Sequence, residues 1–165
     1  MRPAGNHMVS QYLGWNATMG GGLFLLTGIK SGSPQLINIL RTSRVAGGRL
    51  NGQSLDGGAF MSPDLSYDGT KVLFAWTNSI DKCWHIFKVN IDGSGLVQLT
   101  DGSAPYAGLQ GSGADYSVRL PDQSHNDFDP CWLPDGRIVF VTERRGGYQR
   151  CTDNNPLTNY TLFSM

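Results

Sequence analysis

Pro63-Asp64-Leu65-Ser66-Tyr67-Asp68-Gly69-Thr70-Lys71-Val72-Leu73-Phe74 reads as a strand, an Asp-Gly turn and a second strand. Pro130-Cys131-Trp132-Leu133-Pro134-Asp135-Gly136-Arg137-Ile138-Val139-Phe140 repeats it with one residue fewer in the turn. Proline matches proline, Asp-Gly matches Asp-Gly, Lys71 matches Arg137, and a β-branched residue and a phenylalanine follow at the same places. Asp-Gly between apolar segments is a strong short-range hairpin signal, because such turns need positive φ and glycine adopts it without steric cost. A hairpin repeated inside one chain marks an array in which each unit buries its apolar face only against its neighbours.

Reading outward, the expected fold is all-β: a β-propeller fragment of about two and a half four-stranded blades. Residues 1–58 form a partial blade and a glycine-rich link. Within them Leu23–Thr27 and Leu36–Leu40 are expected strands joined by Gly28–Pro34, and Arg41–Gly58 is expected to run over the surface. Residues 59–101 form a complete blade, with strands over Phe60–Leu65, Lys71–Trp76, Trp84–Asn90 and Gly95–Leu99. Residues 102–126 form an inserted loop, far longer than the few residues that ordinarily join elements. Residues 127–165 form a truncated blade. Its hairpin is Asp129–Leu133 with Arg137–Thr142, and Tyr160-Thr161-Leu162-Phe163-Ser164-Met165 matches Trp84-His85-Ile86-Phe87-Lys88-Val89. A ring of blades needs more units to close, so the sequence reads as part of a longer protein, with the remaining blades as expected partners.

Composition agrees with a turn-rich β protein. The 165 residues include 22 glycines and only 16% charged residues, and no window shows a sustained helical apolar period. Thirteen basic and thirteen acidic residues balance, which leaves no broad field to attract nucleic acid or an anionic membrane. The longest apolar runs, Leu23–Leu26 and Val72–Trp76, are too short to span a bilayer. Met1-Arg2-Pro3-Ala4-Gly5-Asn6-His7 lacks the apolar core of a signal peptide. Cys83, Cys131 and Cys151 show no metal or haem spacing, and their odd number argues for free thiols over a disulfide framework, though one pair is possible.

The densest set of potential ligands is His125, Asp127 and Asp129. On an extended segment the two aspartates share a face, and with loop carbonyls they are a candidate Ca²⁺ site. The plainer alternative has them accept backbone N–H bonds and hold the blade in place. Glu143-Arg144-Arg145-Gly146-Gly147-Tyr148 is expected to open a loop. Arg144 and Arg145 suit bidentate binding of a carboxylate or phosphate, or ion pairs with Asp127, Asp129, Glu143, Asp101 or Asp115. With Tyr148 these residues complete the candidate binding set. The 102–126 insertion is a second candidate surface for a protein partner or small ligand. Nucleophilic catalysis finds no support, because Ser10, Ser62, Ser112 and Ser117 lack a nucleophile elbow. No catalytic residue, cofactor or structural metal is expected.

The string Tyr67–Phe74 with His85-Ile86-Phe87-Lys88-Val89-Asn90-Ile91-Asp92-Gly93-Ser94-Gly95-Leu96-Val97-Gln98-Leu99-Thr100 resembles the repeat of TolB-type six-bladed propellers. That repeat has the form S-P-D-G-x-x-I-x-F followed by I-Y-x-M-N-x-D-G-S-G-x-x-x-L-T. More narrowly, Asn126–Phe140 with Thr142–Tyr148 is similar to the propeller domain of proteins related to the alpha subunit of hydrazine synthase, a likeness that covers roughly Gly20 to Met165. The resemblance implies an exported bacterial protein, periplasmic or secreted. In that synthase, haem-bearing domains flanking the propeller carry the redox chemistry, and this chain has no Cys-x-x-Cys-His. The expectation is therefore a non-catalytic recognition scaffold. The rival is the propeller part of an enzyme, haem-dependent or a propeller-gated hydrolase, whose catalytic groups lie outside this chain.

Overall fold

The structure is a computed structural model, and it describes residues 14, 17–81, 83–100, 125–148 and 156–165, with the backbone alone for 144–148 and 156–159. The residues from 101 to 124 in the expected insertion, Cys151, and Asp101, Asp115, Ser10, Ser112 and Ser117 lie outside the described residues. Among those described there is no α-helix, and no helix long and apolar enough to cross a membrane.

Nine strands form three antiparallel sheets. The first pairs β1 (Phe24–Thr27) with β2 (Gln35–Asn38). The second has four strands in sequence order: β3 (Ala59–Leu65), β4 (Lys71–Thr77), β5 (His85–Asn90) and β6 (Val97–Gln98). The third has three: β7 (Asp127–Trp132), β8 (Ile138–Tyr148) and β9 (Pro156–Ser164). Nearest-neighbour order throughout follows from short turns, which can join only adjacent antiparallel strands.

The two repeated hairpins are the same object built twice. In β3–β4, Met61 pairs with Ala75 and Asp64 with Leu73, with a register shift between Met61 and Asp64. In β7–β8, Phe128 pairs with Val141 and Cys131 with Val139, with the shift between Phe128 and Cys131. At each shift one non-glycine residue directly before proline takes positive φ, Ser62 at 52° and Asp129 at 49°. The hydroxyl of Ser62 donates to Asp129 Oδ1, so the two bulges are tied to each other. Phe74 faces Phe87 across the sheet and Phe140 faces Phe163, with ring centroids 5.8 and 6.3 Å apart. Phe74 and Phe140 are both buried, in equivalent positions. The Asp-Gly turns close equivalently, with the Gly69 N–H bonding the Ser66 carbonyl and the Gly136 N–H the Leu133 carbonyl.

Both faces of the second sheet are covered. Val72, Phe74 and Trp76 of β4 point one way with Phe87 and Val89 of β5, into a core completed by Leu23, Leu40, Val45, Leu50, Leu55 and Leu96. Each such fully buried side chain contributes on the order of 1.5–3 kcal/mol. The Trp76 Nε1–H donates to the Leu55 carbonyl at 2.9 Å. Arg41–Gly58 is thus not a link over the surface. It is irregular and glycine-rich, yet Val45, Leu50 and Leu55 plug the sheet's face because that face would otherwise be wet. On the opposite face Ala59, Ala75, Trp84 and Met61 pack with Phe128 and Val141 of the third sheet.

The strand bounds shift where side-chain pattern and ladder disagree. β7 begins at Asp127, two residues before the expected start. β8 runs on to Tyr148 and β9 starts at Pro156, so the expected loop after Glu143 is two arms of a long hairpin. The ladder resumes past a register shift, pairing Arg145 with Asn159, Gly146 with Thr158 and Tyr148 with Pro156. Gly146-Gly147 reads as a loop because glycine pays more chain entropy in a strand, but its pairing with Thr158 and Leu157 holds it extended.

Candidate functional site

In the third sheet the positions that open the hairpin have exchanged apolar for polar residues. Pairing of Asp127 with Thr142 corresponds to pairing of Phe60 with Trp76. Extending the match one residue places Asn126 and Glu143 where the second sheet has Ala59 and Thr77, and one further places His125 at Gly58. All four polar residues, His125, Asn126, Asp127 and Glu143, are buried.

Asn126 is the hub. Its Oδ1 accepts the Trp84 N–H at 2.9 Å and the Gly14 N–H at 3.3 Å. Its Nδ2 and its backbone N–H both donate to Glu143 Oε2, at 2.7 and 3.1 Å. The Glu143 N–H returns a bond to the Asn126 carbonyl at 3.0 Å, and the Asp127 N–H donates to the Trp84 carbonyl at 2.8 Å. One side chain therefore ties residue 14, the start of β5, β7 and β8 together, and supplies partners that buried polar groups require. His125 Nε2 lies 3.7 Å from Asp127 Oδ2.

Asp127 and Asp129 do not share a face, although both lie on β7. The bulge and the positive φ at Asp129 break the strand alternation. Asp127 turns inward beside His125, whereas Asp129 accepts the Ser62 hydroxyl. The paired-carboxylate geometry expected for Ca²⁺ is absent at these two positions. Among the described residues no group of three or more His, Cys, Asp or Glu stands close enough to hold a metal ion. Arg144, Arg145 and Tyr148 follow Glu143 along β8, so the candidate residues occupy two neighbouring strands.

A second polar knot was not legible in the sequence. His85 is buried, and its Nε2 lies 3.2 Å from Asp81 Oδ2, which Arg49 also bonds at 2.5 Å. Burial pushes the Asp81 carboxyl up; His85 and Arg49 outweigh it and hold the group below its ordinary value. The knot pins the irregular 41–58 segment to the second sheet. No sequence spacing joins residues 49, 81 and 85. The Asn126–Glu143 hub did have a signal, namely the apolar-to-polar exchange seen when the repeat is extended upstream of the matched prolines. The Cys131 thiol is exposed, and desolvation followed by the Asp64 carboxyl raises its pKa, which disfavours the nucleophilic thiolate.

Compared with family models, with curated proteins and with solved structures, the chain has no match.

Proposed function

We propose that this chain is a segment of a TolB-type β-propeller, serving as a non-catalytic scaffold that recognises a protein or a small ligand within a larger exported bacterial protein. The observation that carries the reading is the repetition of β3–β4–β5 in β7–β8–β9, register for register, down to a bulge and a left-handed residue before proline in each copy. A sheet covered on both faces, by the preceding segment and by the following sheet, is what radial repetition of blades requires. The recognition surface is the end of the third sheet. There the chain returns from the 102–126 insertion at His125, and β8 carries Arg144, Arg145 and Tyr148 beyond Glu143. Arginine pairs carboxylate or phosphate bidentately, and tyrosine adds apolar area with a polar tip. The buried groups beside them hold the frame, since Glu143 is engaged by Asn126 and Asp127 lies beside His125.

The protein encoded by the complete reading frame tests this. Electron microscopy should show a ring of like sheets, and the purified protein should keep no Soret absorbance through dialysis. A sandwich or closed barrel in place of the ring overturns the propeller; a retained Soret band overturns the non-catalytic assignment.

A further inference from the structure

We propose that the outer edge of β9 is an acceptor for one extended, uncharged strand of another polypeptide that ends in Leu-Thr. The inference needs only the repetition between the second and third sheets and does not depend on a ring.

Hydrogen-bond parity fixes what the edge offers. Ile138 and Met165 exchange both backbone bonds, each at 2.9 Å. In an antiparallel ladder such pairs alternate with pairs whose N–H and C=O groups point away. Phe140–Phe163 is therefore a bonded pair, while Val141–Leu162 and Val139–Ser164 are not. The N–H and C=O of Leu162 and Ser164 point outward, and among the described residues no strand pairs with that side of β9.

The second sheet shows how the same edge is satisfied. There Ile86 holds the place of Leu162, and Phe87 that of Phe163. The Leu99 N–H donates to the Ile86 carbonyl at 2.8 Å, and the Thr100 hydroxyl accepts the Ile86 N–H at 3.0 Å. Gln98 and Val97 pair with Phe87 and Lys88. The occupant of the β9 edge thus needs a backbone donor at a leucine and a hydroxyl acceptor on the following residue.

Charge selects the same occupant. Pro156–Met165 contains no Asp, Glu, Lys or Arg, and neither does Gly95–Thr100. Exposed edges are ordinarily guarded by lysine, by an internal proline or by being short. β9 spans nine residues with its one proline at the first, and Leu162 is 73% exposed. An ionised side chain laid along this edge would lose water without gaining a counter-charge, so a neutral strand fits and a charged one does not.

The test uses the 165-residue chain and a fluorescein-labelled, end-capped peptide of sequence Gly-Leu-Val-Gln-Leu-Thr, followed by anisotropy and by sedimentation. Saturable binding is expected. Leu162→Pro should weaken it by about ten-fold or more, because the outward donor is lost, while circular dichroism and the urea midpoint stay unchanged, since that N–H bonds nothing in β8. Replacing the peptide threonine by valine should weaken binding about three-fold. Absence of saturable binding, or binding indifferent to Leu162→Pro, overturns the proposal. Self-association that Leu162→Pro abolishes, without peptide binding, also overturns it and assigns the edge to a second copy.

Discussion

At the scale of single residues, the polar side chains near the candidate surface act as fasteners. Asn126 satisfies two backbone donors that no other group reaches, Trp84 N–H and Gly14 N–H, and holds a buried carboxylate. Asn126→Ala strands these groups together, and a buried polar group left unpaired costs about 1–3 kcal/mol. The expected loss is about 3 kcal/mol by urea denaturation, placing this substitution in the tail of point-mutation effects. Asp81 makes a pH-dependent contribution of determinable sign. Its carboxyl titrates below the ordinary 3.8 in the folded chain. Its stabilisation is therefore complete above the unfolded value and is lost as pH falls through the lower folded one. Asp68, held at about 2 by Ser66 and Thr70, and Asp92 and Asp135, also lowered by bonds to Ser94 and Arg137, share that window. Asp81→Asn should therefore lower the stability at pH 7 and shrink, without abolishing, the fall in urea midpoint below about pH 4. An acid profile as steep in the variant as in the parent would place the linkage elsewhere.

At the scale of elements, what the sequence shows and hides follows from the range of the forces involved. Asp68-Gly69 and Asp135-Gly136 could be read because turn chemistry is local: the glycines take φ of 69° and 87°, and the aspartates accept N–H bonds from Thr70 and Arg137. β8 past Thr142 could not, because Arg-Arg-Gly-Gly has no strand pattern and is extended only through its pairing with β9. Val45, Leu50 and Leu55 escaped notice for a different reason, since a spacing of five fits neither strand nor helix period. Their burial is dictated by the open face of β4 and β5. The bulges go against local expectation. A residue before proline is ordinarily extended, yet Ser62 and Asp129 are left-handed, a conformation that asparagine and aspartate tolerate and β-branched residues do not. Asp129→Asn should therefore be nearly silent. Asp129→Val, which adds backbone strain and removes the acceptor for Ser62, should cost about 2 kcal/mol or more by thermal or urea unfolding. Equal stability of the two variants would mean that the bulge bears no strain.

At the scale of the whole molecule, burial is uneven along the stack of sheets. The second sheet is covered on both sides, while the first exposes one face. Leu26 pairs with Leu36 on that face and Phe24 lies two residues along from Leu26; Leu26 is 53% and Leu36 66% exposed. Single exposed leucines are ordinary on protein surfaces, but a cross-strand pair flanked by phenylalanine is a contiguous patch of the kind that drives association. Zero formal net charge removes the repulsion that would keep copies apart. The chain should therefore self-associate with rising concentration in sedimentation experiments. Leu26→Glu with Leu36→Lys separates this patch from every other cause. The two side chains stand opposite each other, so opposite charges preserve the strand pair while making its face polar. The double variant should shift the association to roughly ten-fold higher concentration, an apolar contribution of about 1.4 kcal/mol, with its unfolding transition unmoved because both side chains already face water. If association persists unchanged, the first sheet is not the surface through which copies meet. If the transition itself falls, the first sheet depends on this face for its own stability, and the patch is part of the fold rather than a contact held open for a neighbour.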